Sequence, residues 1–324
     1  MIALKVFSDS PLDAAATRLL LDGTAPHEVL FPRTAASSVL AQADPDLAFP
    51  LADIAFGQPD LESIRRSDRL KWIHLSSAGF TRYDTPEFRA LVAERGVVVT
   101  HSSSVYAAAC AEHVFALMLA HSRRLPQALR SQAASGSAEW FQLRGDSVSL
   151  REQSVVILGF GGIATALVKL LAPFEMKITA MRRQPRGDEG VPTVTAKGLP
   201  AALATADHVI NILPDNPASR NFIDSARLVQ MKRGAVFYNI GRGATVDQEA
   251  LLAALRSGRL AAAWLDVTEP EPLPAGHPLR SEPDCFITPH IAGGHADESG
   301  TLVRHFLANF QRYLAGAPLL DRIM

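Results

Sequence analysis

Short apolar runs recur along this chain, and between them the apolar positions shift to helical spacing. Ser154-Val155-Val156-Ile157-Leu158 is the clearest run. Its length and β-branched content predict a buried strand, and glycines and a helix pattern over Ala164–Leu171 follow at once. Further strands are predicted over Met176–Met181, Ala206–Leu213, Ala235–Ile240, Ala261–Val267 and Cys285–Thr288. Helices at Leu199–Thr205, Asp224–Met231, Asp247–Ser257 and Asp297–Ala315 are interleaved with them or follow them. That alternation predicts an α/β fold with a parallel sheet covered on both faces. Upstream, Met1–Phe7 reads as an opening strand and Gly96–Thr100 as a later one, with short apolar runs and helical patterns between. Ala107–His121 is an apolar helix pattern long enough to bridge two domains, and Ser131–Asp146 reads as a polar loop. The last helix comes after all of these, which allows the chain to return to its first domain.

Composition narrows the function classes. A length of 324 residues predicts two domains, and 48% apolar against 20% charged residues supports sizeable cores. A net charge of −1 argues against a nucleic-acid footprint. Cys110 and Cys285 read as core residues rather than a disulfide or metal pair, and the ten histidines show no spacing with a third ligand. The first residues lack a basic leader, and no run reads as long enough to span a bilayer. The expectation is a cytoplasmic protein with neither a membrane nor a nucleic-acid partner, and with no metal.

The turn after the first clear strand carries chemistry. Gly159 and Gly161 stand two apart, with Gly162 and Ile163 opening the helix and Ala164 where a third small residue is wanted. In a G-x-G-x-x-G/A turn the first glycine permits the tight bend and the second lets backbone approach a pyrophosphate. The uncapped N–H groups of the new helix then hold phosphate charge. A plain strand-to-helix turn is the alternative; the flanking strand and helix favour a dinucleotide site.

Three further blocks follow predicted strands: Asn239-Ile240-Gly241-Arg242-Gly243, Asp266-Val267-Thr268-Glu269-Pro270-Glu271-Pro272, and Thr288-Pro289-His290-Ile291-Ala292-Gly293. Ligands of open α/β sheets sit outside the carboxyl ends of the strands, so Arg242, Glu271 and His290 could converge on one crevice. Singly, each has a structural alternative: a loop ion pair, an exposed turn, a bend after proline. Together, in this order, the blocks resemble the D-isomer-specific 2-hydroxyacid dehydrogenases over nearly the whole chain, from Leu70-Lys71-Trp72-Ile73 to Pro289-His290.

The resemblance implies two Rossmann-like or flavodoxin-like domains with doubly wound parallel sheets. A nucleotide domain of residues 104–290 would be inserted into a substrate domain made of 1–103 and 291–324, with homodimers formed through the nucleotide domain. It gives Arg242 the substrate carboxylate, His290 the role of general acid, and Glu271 that of its carboxylate partner, which favours the protonated imidazole. It places Asp266 against the nicotinamide carboxamide, and Leu213, Pro214, Ile240 and Gly293 with the cofactor. Backbone N–H groups at Ala78 and Gly79 would meet the substrate carboxylate. Two departures stand out: Thr81 replaces a common acid, and His101-Ser102-Ser103-Ser104 replaces the usual Asn-x-Pro-Gly. Glu112-His113 resembles a family pair and is read as part of a domain or dimer contact.

The second strand of the nucleotide domain decides the cofactor. An NAD site would place Asp or Glu at its end, whereas this chain has Arg182 and Arg183. Guanidinium groups suit a 2′-phosphate, so NADP(H) is expected over NAD(H). The reading is a reductase of small 2-keto acids, glyoxylate and hydroxypyruvate first, that makes D-2-hydroxy acids. A formate dehydrogenase would carry glutamine in place of Glu271, and a phosphoglycerate dehydrogenase is a further alternative within the family. An NAD(H)-dependent D-2-hydroxyacid dehydrogenase of another substrate is a third, and the alternative outside enzymes is a dimeric nicotinamide-nucleotide-sensing scaffold of the corepressor kind, with little turnover.

Overall fold

A computed structural model describes residues 3–34 and 44–324, which divide into two compact units. The first is Met1–Tyr106 with Gly294–Met324, and the second is Ala107–Gly293. The expected boundaries at 103/104 and 290/291 fall three residues short of these on each side.

In the first unit the chain runs β1 (Lys5–Ser8), α1 (Ala14–Thr24), β2 (Glu28–Leu30), β3 (Ile54–Gly57), α2 (Leu61–Arg66), β4 (Trp72–Leu75), α3 (Pro86–Arg95) and β5 (Val98–Thr100). The strands form one parallel sheet in the order β2-β1-β3-β4-β5, so the order reverses beside β1. Asp13, Asp60 and Thr85 each start a helix by accepting a hydrogen bond from its first turn. Phe7, Ala55, Ile73, Leu75 and Val99 fill the core on one side of the sheet.

The long helix α4 (Ser103–Ser122) leads into the second unit. It has 20 residues, and its most apolar 18 have a mean hydropathy of 1.4, which is the length and composition of a membrane span, so the expectation that no run reaches that size is corrected. Ala111, Val114 and Met118 are fully buried, as in the core helix of a globular unit. Next come α5 (Leu125–Ser131) and α6 (Ala138–Gly145), the second of them within the stretch expected to be a polar loop. Ser137 caps α6 by accepting from the Trp140 N–H, with Glu139 in the first turn and Arg144 in the last. These end signals outweigh the polar composition.

The rest of the unit is β6 (Ser154–Leu158), α7 (Gly162–Leu171), β7 (Lys177–Met181), β8 (Thr193–Val194), α8 (Leu199–Leu203), β9 (His208–Asn211), α9 (Ser225–Gln230), β10 (Ala235–Asn239), α10 (Gln248–Arg256), β11 (Leu260–Leu265) and β12 (Cys285–Ile287). All strands are parallel, in the order β12-β11-β10-β9-β6-β7-β8. The switch in order falls at β6, the strand before the glycine turn. Cys110 is buried as expected, whereas Cys285, on the edge strand β12, is only half-buried.

The chain then returns to the first unit with α11 (Glu298–Leu314). Leu302, Val303, Phe306 and Phe310 are buried, and Phe306 stacks on Phe56 at 4.6 Å and on Trp72 at 5.2 Å. The final residues pair along β5, where the Ile323 N–H donates to the Val99 carbonyl at 2.9 Å.

Candidate active site

Arg242, Glu271, His290 and Asp266 all lie in loops after the carboxyl ends of β10, β11 and β12. Neighbouring parallel strands thus bring together residues that are far apart in sequence.

The Arg242 turn is held from beneath by buried amides. The Asn211 side chain donates to Asn239 Oδ1 at 3.0 Å and to Thr245 Oγ1 at 2.7 Å. Asn239 Nδ2 and the Thr245 hydroxyl in turn donate to the Arg242 carbonyl, at 3.2 and 2.6 Å. Asn211 and Thr245 are fully buried, so this network fixes the backbone from which the guanidinium projects. Gly243 is required by proximity: a Cβ there would stand 2.0 Å from the Thr268 carbonyl. Burial lowers the pKa of Arg242, while the nearby Glu271 charge opposes that fall.

His290 and Glu271 form the closest pair, with Nδ1 to Oε1 at 2.6 Å. An ionised carboxylate can only accept, so Nδ1 carries the hydrogen of this bond and Nε2 is left for proton exchange. Both side chains keep about a third of their surface exposed, at 32% and 38%, so solvent and ligand can reach them. His290 has φ +52°, an uncommon conformation for a residue with a Cβ.

Asp266 accounts for that conformation. Its Oδ1 accepts from the Thr288 hydroxyl at 2.6 Å and from the Ile291 N–H at 2.9 Å, and Oδ2 accepts from the Ala292 N–H at 2.9 Å. The His290 N–H donates to the Asp266 carbonyl at 2.9 Å. At 2% exposure Asp266 is an anchor for the turn that carries the imidazole. His113 stands beside it, with Nε2 3.4 Å from the Thr288 hydroxyl and 3.8 Å from Asp266 Oδ1. Within the second unit His113 packs under the His290 segment. Cys110 senses the same charges, and burial pushes its thiol up to about 12, which keeps it neutral.

The glycine turn lies across the switch point. Gly159 has φ +99°, open to glycine and strained for other residues. Gly161 precedes α7, whose first N–H groups receive no side-chain cap, and a Cβ at Gly161 would meet nothing within 4 Å. This open, uncapped helix start fits a pyrophosphate.

Beside it is a pocket of about 830 Å³ lined by Gly159, Phe160, Arg182, Arg183, Leu213 and Pro214 among others. Arg186, Lys197, Asn216 and Ser219 also line it, and no carboxylate does among the described residues. Gly161, Gly162, Ile163, Ile240, Asp266 and Gly293 stand outside this lining. Arg186 was legible in the run after β7. Lys197 lay beyond β8, where sequence spacing gives no signal.

In the first unit Ala78 and Gly79 follow β4. The Ser77 hydroxyl donates to the Gly79 carbonyl at 2.5 Å, and His101 Nδ1 lies 2.8 Å from the Ala78 carbonyl. His101, one of the departures noted above, thus holds this loop.

Comparison with known proteins agrees with the geometry. The family described as "D-isomer specific 2-hydroxyacid dehydrogenase, NAD binding domain" matches residues 115–292. The human glyoxylate reductase/hydroxypyruvate reductase is 33% identical over 252 residues, 77% of this chain and 76% of that protein. A glyoxylate reductase from Thermofilum pendens is 34% identical over 236 residues, 72% of this chain and 68% of the relative. Among solved structures, a D-isomer specific 2-hydroxyacid dehydrogenase from Xanthobacter autotrophicus Py2, in complex with NADPH and MES, superposes with a TM-score of 0.78. It is 28% identical, and the match covers 99% of this chain and 98% of that one. With the paired imidazole and carboxylate, the nucleotide turn and these relatives all in agreement, the chain belongs to the D-isomer specific 2-hydroxyacid dehydrogenases, NAD(P)-dependent oxidoreductases.

Proposed function

We propose that this protein is an NADPH-preferring reductase of small 2-keto acids, glyoxylate or hydroxypyruvate among them, and that it makes the D-2-hydroxy acid. The observation that carries the reading is the 2.6 Å contact between His290 and Glu271, on loops neighbouring the Arg242 turn. The guanidinium of Arg242 holds the substrate carboxylate with charge-assisted hydrogen bonds. Ala78 and Gly79, in the first unit, are assigned to substrate binding through their backbone N–H groups. The imidazolium of His290 gives its Nε2 proton to the carbonyl oxygen as that oxygen gains charge, and Glu271 stabilises the imidazolium. Bound NADPH supplies the hydride. Gly159, Gly161, Gly162 and Ile163 are assigned to the pyrophosphate, and Leu213, Pro214, Ile240, Asp266 and Gly293 to the remainder of the nucleotide.

The preference for NADPH rests on Arg182, Arg183, Arg186 and Lys197 around one pocket. A 2′-phosphate brings charge that these residues neutralise, and NADH brings none at that position. A homodimer through the second unit also belongs to this reading. Leu129 and Phe141, on α5 and α6, are 75% and 62% exposed, and a dimer would cover them.

The test is a panel of glyoxylate, hydroxypyruvate and pyruvate with each reduced nucleotide. Consumption of NADPH faster than NADH, with at least one of the acids, is the expected result. Tight nucleotide binding with negligible turnover on all of them would instead mark a nucleotide-sensing scaffold.

A further inference from the structure

The loop between β7 and β8 contains an acid where the pocket needs bases. Glu189 is buried, and its side chain is 2% exposed. Its Oε1 accepts from the Arg182 guanidinium at 3.1 Å and from the Arg186 N–H at 2.7 Å, while Oε2 accepts from the Gly187 N–H at 2.9 Å. The Arg182 N–H is itself tied to the Val194 carbonyl at 3.0 Å, so both ends of the loop are pinned. Glu189 does not line the pocket, whereas Arg182, Arg183 and Arg186 do. An NAD site holds an acid at the end of β7 to accept from the ribose. Here the acid stands seven residues later, behind the arginine.

We infer that Glu189 is a positioning residue for nucleotide choice. It grips one arm of the Arg182 fork and caps the turn that carries Arg186, so that both guanidinium groups are set for a 2′-phosphate. The inference rests on the proposed NADPH preference. Two physical effects oppose each other here, which makes the sign of the outcome decisive. As a bare negative charge near the phosphate, Glu189 would weaken NADPH binding, and its removal would tighten it. As a clamp that holds long, rotamer-rich side chains in place, it strengthens binding, and its removal loosens it. The burial of the carboxylate and its three donors favour the clamp.

The experiment is a set of dissociation constants for NADPH and for NADH, measured on wild type, E189A, E189Q, R182M and the E189A/R182M double variant. E189A is expected to weaken NADPH by about tenfold and to change NADH by less than about twofold. E189Q keeps one acceptor oxygen, enough for one of the two backbone N–H groups, and loses the charge, so a loss of about threefold is expected. In the R182M background E189A should lose most of its effect, because neighbours that act together are not additive. NADPH binding that is unchanged or tighter in both Glu189 variants overturns the inference. An equal loss for the two nucleotides also overturns it, by showing a merely structural role. If E189A does not fold, E189Q decides by the same criteria. A wild-type protein without NADPH preference overturns the underlying reading as well; a wild-type preference that survives both variants overturns this inference alone.

Discussion

His290 and Glu271 make the proposal sharpest at the level of single side chains. Replacing His290 with alanine removes the only proton donor assigned to the carbonyl oxygen, so kcat should fall by about 10³-fold. Because the imidazole is assigned to no nucleotide contact, the dissociation constant for NADPH should hold within about twofold. Equal loss of both would identify a structural histidine. Arg182 gives the complementary experiment. Arg182→Asp places a carboxylate against a 2′-phosphate and offers the ribose hydroxyl an acceptor, so the NADPH-to-NADH affinity ratio should fall by at least about tenfold. An unchanged ratio would refute the cofactor assignment. Arg182, Glu271 and His290 were all legible in the sequence, since each belongs to a run whose residue types and order carry meaning. Glu189 and Asn211 were not. Their partners are set by loop closure and by the neighbouring strand β10, and neither is visible along the chain.

Elements carry the site by where their strands end. The Arg242 turn approaches the loop after β11 so closely that Gly243 has no room for a side chain. Gly243→Ala should therefore destabilise the protein by about 2 kcal/mol through overpacking, and reduce turnover by displacing Arg242. Thermal melts and steady-state kinetics on the one variant check both parts. The strands of the second unit, apart from the two-residue β8, were legible because a parallel sheet buried on both faces writes itself as apolar runs. The helix α6 was not, because it buries no residue and leaves no apolar stripe to read. Its cap at Ser137 was the available signal.

The whole molecule has a legible pH response. His121 and His208 are pushed down to about 4 by burial, and burial also lowers His74. An unfolded chain protonates these rings near 6.5, before the folded one does, so stability falls as pH drops from about 6.5 toward 4. Asp9 acts in the opposite sense. Burial raises its carboxyl from 3.8 to about 7, so the folded chain holds a proton that the unfolded chain has lost, and stability erodes as pH rises through that window. Asp9→Asn should therefore raise the melting temperature more at pH 8 than at pH 5. The same rise at both would remove the titration from the explanation. Oligomeric state is tested on the same scale: Leu129→Glu with Phe141→Glu should convert a dimer to a species of 34.9 kDa by light scattering.

The first unit is assembled from the two ends of the chain, and that has a consequence for how the protein is made. Trp72 and Phe56 stack on Phe306, which leaves the ribosome well over two hundred residues after them. Throughout synthesis of the second unit that aromatic surface lacks its cover, and β5 lacks the tail that pairs with it. The nucleotide unit, whose residues are contiguous, can complete its fold in the meantime. A released chain truncated before Glu298 should therefore hold a protease-resistant core near residues 107–293, while the segment before it is still cleaved.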